Sequence, residues 1–209
     1  NPKITIWYIH FFASSTNYVV GNKVKIINIE NYKNIERPFL MVANHESFFD
    51  LYNIYVTLTG IRFTVVAKKE LSKIPLFGYF YKRGCILVDR SDPSSRRDVY
   101  AQAQKRLKAG LSICIFPEGG VPDDESIVLD EFKDGAFRLA IDHHIPIVPL
   151  TFADNKKRFS YTFFSGSPGL MRVKIHHFID TKNQSADYKK AIKGQVHNVI
   201  LKQLQDYNS

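Results

Sequence analysis

Apolar residues recur along the chain in short blocks, and their spacing predicts strands alternating with helices. Lys23-Val24-Lys25-Ile26-Ile27-Asn28-Ile29 alternates polar and apolar side chains, the period of a half-buried strand. Phe39-Leu40-Met41-Val42-Ala43 is instead apolar throughout, as in a strand covered on both faces. Similar runs occur at Phe63-Thr64-Val65-Val66, Ile86-Leu87-Val88, Ser112-Ile113-Cys114-Ile115-Phe116 and Ile147-Val148-Pro149-Leu150-Thr151, with later strands predicted over 161–164 and 172–179. Helices are predicted over 47–59, 94–109, 132–142 and 186–204, with Gly110 closing the second of them. The alternation implies an α/β fold with a largely parallel central sheet flanked by helices. No repeat, low-complexity tract or linker divides the 209 residues, so a single domain is expected, with 23–150 as its motif-bearing region.

The first 22 residues stand apart. Ile4-Thr5-Ile6-Trp7-Tyr8-Ile9-His10-Phe11-Phe12-Ala13 admits two readings, an amphipathic helix lying on a membrane or the first helix of the core. No apolar run is long enough to span a bilayer. The chain begins at Asn1 rather than Met, so an upstream segment, an anchor, is expected.

Hydrophobic residues at 44% and aromatics at 13% place the chain among folded proteins, and charge then sharpens the picture. The net charge is +9, and between Arg62 and Lys108 there are 12 Lys and Arg against 4 Asp and Glu. Such a field favours an anionic partner, either a lipid surface, a phosphorylated or acyl-carrier substrate, or nucleic acid. Aromatics mixed into it at Ile74-Pro75-Leu76-Phe77-Gly78-Tyr79-Phe80-Tyr81-Lys82-Arg83 favour an anionic membrane surface, although single-stranded nucleic acid binds similar compositions. Cys85 and Cys114 lie in apolar runs and read as buried free thiols in a reducing, cytosol-facing environment.

In open parallel sheets ligands bind beyond the carboxyl ends of the strands. Three such exits deliver polar residues: Ala43-Asn44-His45, Val88-Asp89-Arg90 and Phe116-Pro117-Glu118-Gly119. On one regular helix His45 and Asp50 would lie about 140° apart. With His45 in a loop and the helix beginning at Ser47, Asp50 falls in the first turn and can point back. A carboxylate holding the Nδ1 proton would leave Nε2 as a general base. Alternatively, Ser47-Phe48-Phe49-Asp50 is a capping box with Asp in place of Glu. Arg90 is suited to gripping a phosphate bidentately or to a surface ion pair. Glu118 precedes Gly119-Gly120, where backbone amides can approach a ligand closely.

Four blocks carry a resemblance: Asn44-His45-Glu46-Ser47-Phe48-Phe49-Asp50, Gly84-Cys85-Ile86-Leu87-Val88-Asp89-Arg90, Phe116-Pro117-Glu118-Gly119 and Ile145-Pro146-Ile147-Val148-Pro149-Leu150. In order and spacing they resemble the four motifs of the glycerolipid acyltransferases, and among these the bacterial 1-acyl-sn-glycerol-3-phosphate acyltransferases. The resemblance implies that His45 deprotonates an acceptor hydroxyl, which attacks an acyl thioester of acyl-carrier protein or coenzyme A, with Asp50 orienting His45. It implies that Arg90 holds the acceptor phosphate, that Glu118 and Gly119 belong to the acceptor site, and that Lys133, in Phe132-Lys133-Asp134-Gly135-Ala136-Phe137, is a second phosphate ligand. The acceptor implied is a membrane lipid, lysophosphatidic acid or another lyso-lipid. No metal or other cofactor and no nucleic acid is expected, and the site would face the cytoplasmic side of the membrane.

One departure bears on the acceptor. The third motif of the family continues Glu-Gly-Thr-Arg, whereas Gly120 and Val121 follow Gly119 here. Either Arg90 and Lys133 suffice for a phosphate, or the acceptor is a lyso-aminolipid built on ornithine or glycine. Two rivals have other predictions: a hydrolase using the same pair to activate water, for which no Gly-x-Ser-x-Gly elbow is present, and a basic, non-catalytic binding module.

Overall fold

The computed structural model describes residues 2–32, 35–47, 49–73, 77–89, 91–122, 126–159, 166–184 and 186–208. Its centre is one seven-stranded sheet in the order β1-β7-β6-β2-β5-β3-β4. The strands are β1 (Lys23–Ile27), β2 (Leu40–Ala43), β3 (Phe63–Lys68), β4 (Cys85–Val88), β5 (Ser112–Ile115), β6 (Ile147–Ala153) and β7 (Leu170–Ile175). Strands β6, β2, β5, β3 and β4 run parallel, β7 is antiparallel to β6, and β1 is parallel to β7. The expected α/β architecture is therefore present, with two reversed strands at one edge.

The helices are α1 (Pro2–Val19), α2 (Phe49–Thr57), α3 (Phe77–Gly84), α4 (Pro93–Lys108), α5 (Gly135–Asp142), the single turn α6 (Asn155–Arg158) and α7 (Lys189–Asn208). Alternation along each strand sends side chains to opposite faces, which separates two cores. On one face Leu40, Val42, Ile113 and Ile147 pack with α4, α5 and α7, the last through Ile192, Val196, Ile200 and Leu204 at four-residue spacing. On the other, Met41, Ala43, Cys114, Val148, Leu150 and Phe152 pack with Ile54 and Leu58 of the α2 region and Tyr81 of α3. All of β2 is buried, which explains its unbroken apolar run.

Gly110 takes φ +75° where α4 ends, and its amide bonds to Leu107 O at 2.8 Å while that of Leu111 bonds to Arg106 O at 3.1 Å. The predicted strand over 172–179 is shorter, since β7 ends at Ile175 and only Ile179 pairs beyond it, as an isolated bridge to Ile147. The strand expected over 161–164 lies outside the described residues, as does the 74–76 portion of the basic aromatic stretch. The remainder of that stretch is α3, with Tyr81 buried, Tyr79 exposed, and Arg83 over the Tyr79 ring at 4.2 Å.

The N-terminal helix packs mainly on α2. Ala13 and Asn17 are buried in that contact, while Phe11, Tyr18 and Val19 are exposed. The core reading is therefore met by the face that carries Ala13 and Asn17, while Phe11, Tyr18 and Val19 face outward. Among the described residues no helix is long and apolar enough to cross a membrane. Cys85 and Cys114 are buried free thiols, and burial pushes Cys85 up to about 12.

Phe137 is fully buried between the sheet and α7 and stacks with Phe132 at 6.1 Å. Phe137→Ala is expected to cost about 3–5 kcal/mol, read as a lower urea midpoint at unchanged slope.

Candidate active site

Parallel strands place their carboxyl ends at one edge of the sheet, and β2 has β6 and β5 as its neighbours. The residues leaving these three strands therefore meet. Asn44 fastens the first pair: its Nδ2 donates to Phe152 O at 2.9 Å and its Oδ1 accepts from Phe152 N at 2.8 Å. The side chain thus continues the β2–β6 ladder after the backbone has turned away.

Glu118 fastens the second pair. Its Oε1 accepts from the His45 amide at 2.7 Å and its Oε2 from the Asp130 amide at 3.1 Å. Burial pushes its carboxyl up to about 7, with neighbouring Asp50 adding to the rise, against the lowering effect of the two amides and His45. The resemblance assigns Glu118 to the acceptor, and the structure shows that both of its oxygens also hold backbone in the loops around His45.

His45 itself sits in the loop ahead of α2, and Asp50 in the first turn of that helix. His45 Nδ1 and Asp50 Oδ2 are 2.7 Å apart. The same oxygen accepts from the amides of Glu46 at 2.7 Å and Ser47 at 2.9 Å, while Ser47 Oγ accepts from Phe49 N at 3.2 Å. The carboxylate half of the Ser47–Asp50 box is therefore present, with Ser47 Oγ on the Phe49 amide rather than that of Asp50, and so is the contact to His45; one carboxylate oxygen makes both. A carboxylate only accepts, so Nδ1 carries the proton and Nε2 is the basic nitrogen. Nε2 has no hydrogen-bond partner among the described residues. The imidazole stacks on Phe116, centroids 4.3 Å apart, which fixes the plane of the ring.

Beyond His45 lies a cavity of about 450 Å³. Val121, Ile127, Val128, Leu204 and Tyr207 form apolar wall, and Glu46, Asp154, Lys156 and Lys157 line it with charge-bearing groups. Val121, which stands where the motif resemblance would put Arg, faces the same space as these two lysines. Asp154 is tied to Arg172 by two bonds, 2.6 and 2.9 Å, and lies 3.7 Å from Lys157 Nζ. Gly119 has φ +81°, and a Cβ there would strike the end of the Lys133 side chain. Gly119 and Lys133, each assigned to the acceptor by the resemblance, lie against each other. Arg90 lies outside the described residues. Among the described residues no group of three or more His, Cys, Asp and Glu is placed to hold a metal ion.

The chain's own pattern did not mark Asn44, Glu46 or Asn155 as site residues. Asn155 Nδ2 donates to Asp50 Oδ1 at 2.6 Å, from 105 residues away. The signal available was the strand-exit rule, since Asp154-Asn155 directly follows β6 once that strand is carried on to Ala153.

Burial pushes Glu46 up to about 8, with Asp50 as the next cause, which favours its protonated form toward neutral pH. Raised in the folded chain, it contributes stability below its ordinary range near 4.5 that is lost as pH rises through about 8. Glu46→Gln is expected to match the parent in urea midpoint at pH 5 and to exceed it at pH 8.5, with a flatter decline between.

Comparison with known proteins follows this geometry. A family model described as Acyltransferase matches residues 23–153. The chain is 31% identical over 172 residues to a 1-acyl-sn-glycerol-3-phosphate acyltransferase of Saccharomyces cerevisiae, covering 81% of this chain and 55% of that protein. It is 32% identical over 167 residues to a probable 1-acyl-sn-glycerol-3-phosphate acyltransferase of Mycoplasma pneumoniae, covering 75% and 61%. The chain thus spans about half to three fifths of these relatives' length. The crystal structure of the 1-acyl-sn-glycerophosphate (LPA) acyltransferase PlsC from Thermotoga maritima has the same fold, with TM-score 0.80 at 23% identity over 98% of this chain and 80% of that one. With the family model matched from β1 to the end of β6, the chain belongs to the acyltransferase family.

Proposed function

We propose that the chain transfers a fatty acyl group from a thioester of acyl-carrier protein or coenzyme A to the free hydroxyl of 1-acylglycerol-3-phosphate, giving phosphatidic acid. The observation that carries this reading is the His45–Asp50 pair at the cavity, with Nδ1 engaged at 2.7 Å and Nε2 the nitrogen left to act. Nε2 takes the hydroxyl proton as the oxygen attacks the thioester carbon. Asp50 stabilises the imidazolium that forms. Collapse of the tetrahedral intermediate breaks the C–S bond, and the thiolate leaves with the proton held by His45. This sequence of steps uses no metal or redox group.

A phosphate acceptor is supported by the names of the relatives and by the cations at hand: Lys156 and Lys157 on the cavity wall and Lys133 beside Gly119. Arg90, two residues beyond the end of β4, is the further phosphate ligand in this reading. Working at the cytoplasmic face of an anionic membrane fits the basic stretch between Arg62 and Lys108, the buried free thiols and the outward face of α1 with Phe11, Tyr18 and Val19. A peripheral hold through that face brings the chain to its lipid.

A panel of acyl-carrier-protein and coenzyme A donors against lysophosphatidate and lyso-ornithine lipid tests the reading. His45→Ala is expected to lower turnover by about 10²–10⁴-fold at unchanged folding. Near-parental turnover would remove His45 from the mechanism, and thioester loss equal with and without acceptor would make the chain a hydrolase. A Lys156→Ala/Lys157→Ala double variant is expected to raise KM for lysophosphatidate selectively. Preferred use of the ornithine lipid by the parent would overturn the phosphate acceptor.

A further inference from the structure

Asp50 has two oxygens, and the pair with His45 accounts for one of them. The other belongs to a chain of buried amides. Asn155 Nδ2 donates to Asp50 Oδ1 at 2.6 Å, Asn53 Nδ2 donates to Asn155 Oδ1 at 3.0 Å, and Asn17 Nδ2 donates to Asn53 Oδ1 at 3.4 Å. All four side chains are buried. They come from the turn after β6, from α2 and from α1, so the chain joins three elements.

Its direction is dictated at one end. An ionised carboxylate only accepts, so Asn155 must present its NH₂ to Asp50 and turn its oxygen to Asn53. Asn53 must then present its NH₂ to Asn155, and Asn17 must do the same to Asn53. The series ends at Asn17 Oδ1, a buried acceptor with no hydrogen-bond partner among the described residues. Every link therefore points a donor toward Asp50, and the polarity of each amide supports the next.

The turn that carries Asn155 is itself held. Asp154 adopts φ +72°, left-handed backbone that is uncommon for a residue with a side chain. The Arg172 guanidinium grips the Asp154 carboxylate from β7 with two bonds of 2.6 and 2.9 Å and lies over the Tyr207 ring at 4.0 Å. The chain thus leaves β6 on a fixed path, which sets Asn155 against Asp50.

We infer that Asn155 is a positioning residue for the His45–Asp50 pair, fixing the Asp50 carboxylate by its Oδ1 so that Oδ2 faces His45, and that Asn53 and Asn17 extend this hold to α1. This rests on the reading that the pair performs the transfer. Without Asn155 the carboxylate keeps its three contacts on Oδ2, from His45, Glu46 and Ser47, but Oδ1 is left buried and bare. Rotation to relieve that loss would draw Oδ2 away from Nδ1.

Three variants test it, assayed for acyl transfer across pH. The ionisable groups around Asp50 stay constant in all of them: His45 and Glu46 in its own loop, Glu118 from the β5 exit, and Asp154 with Arg172 beside the β6 exit. Asn155→Ala is expected to lower kcat on the order of 10- to 100-fold, with little change in KM for the acceptor. Its acidic limb should move to higher pH, because a buried carboxylate deprived of a donor favours protonation. Asn155→Asp sets two carboxyl groups together. While they share one proton the new side chain can still donate, so activity is kept just above the acidic limb and falls on a new basic limb as that proton leaves. Asn53→Ala should show a smaller loss of the same kind.

A folded Asn155→Ala variant with parental kcat and pH profile overturns the inference, as does a loss confined to KM. So does failure of both Asn155 variants to fold at any pH, which would make the residue structural. Retained transfer by His45→Ala instead sinks the reading of the pair itself, so the two failures are told apart.

Discussion

Asp50 carries a carboxylate wholly excluded from solvent, and four donors converge on it: His45 Nδ1, the amides of Glu46 and Ser47, and Asn155 Nδ2. Moving such a charge inward without partners costs on the order of tens of kcal/mol in a low-dielectric interior. The fold around it can be understood as the supply of those partners. Two come from the loop before α2, one from the imidazole it orients, and one from the far side of β6. Because Oδ2 also closes the N-terminal box of α2, the start of that helix and the direction of the His45 ring are set by one atom. A change that moves the helix moves the base.

The neighbouring exits make the loop around this carboxylate rigid. Asn44 bonds both backbone groups of Phe152 on β6, and Glu118 reaches from the end of β5 to hold the His45 amide. His45 therefore sits between two side-chain clamps anchored on adjacent parallel strands. In the proposed reaction a base held in this way loses little entropy when a hydroxyl arrives, and such preorganisation is where a static scaffold lowers a barrier. Phe116 contributes the remaining restraint by stacking on the ring.

How much of this was legible in the sequence depended on distance along the chain. Alternation at 23–29 and the unbroken apolar runs at 39–43 and 112–116 marked strands that form within a residue or two of where they were expected. The strand-exit rule brought His45 and Glu118 to one place, since β2 and β5 are neighbours. The spacing of Ser47 and Asp50 left a cap and a catalytic pair as alternatives, and no local pattern could show that one oxygen both meets the Ser47 amide and contacts His45. Asn155 was hidden for a different reason. The expected sixth strand ended at Thr151, whereas β6 is buried through Ala153 and its true exit lies two residues further on. A contact spanning 105 residues leaves no periodic trace.

The cavity poses an electrostatic problem that the chain solves by separate means. Glu46, Glu118 and Asp154 all line a space proposed to receive a phosphate. Burial and the charge of Asp50 favour the protonated form of Glu46, Glu118 gives both oxygens to backbone amides, and Asp154 is gripped by Arg172 with Lys157 nearby. With those carboxyl groups neutralised or engaged, Lys156 and Lys157 on the same wall can dominate the local field. Val121 brings no charge to the position after β5 where the motif resemblance would put Arg, and Lys156 and Lys157 stand on the β6 side of the same space. An anion held there lies next to the turn that aims Asn155 at Asp50. On the proposed reading, acceptor recognition and orientation of the base draw on the same six residues of backbone, from Ala153 to Arg158, which would tie the choice of headgroup to the geometry of proton transfer.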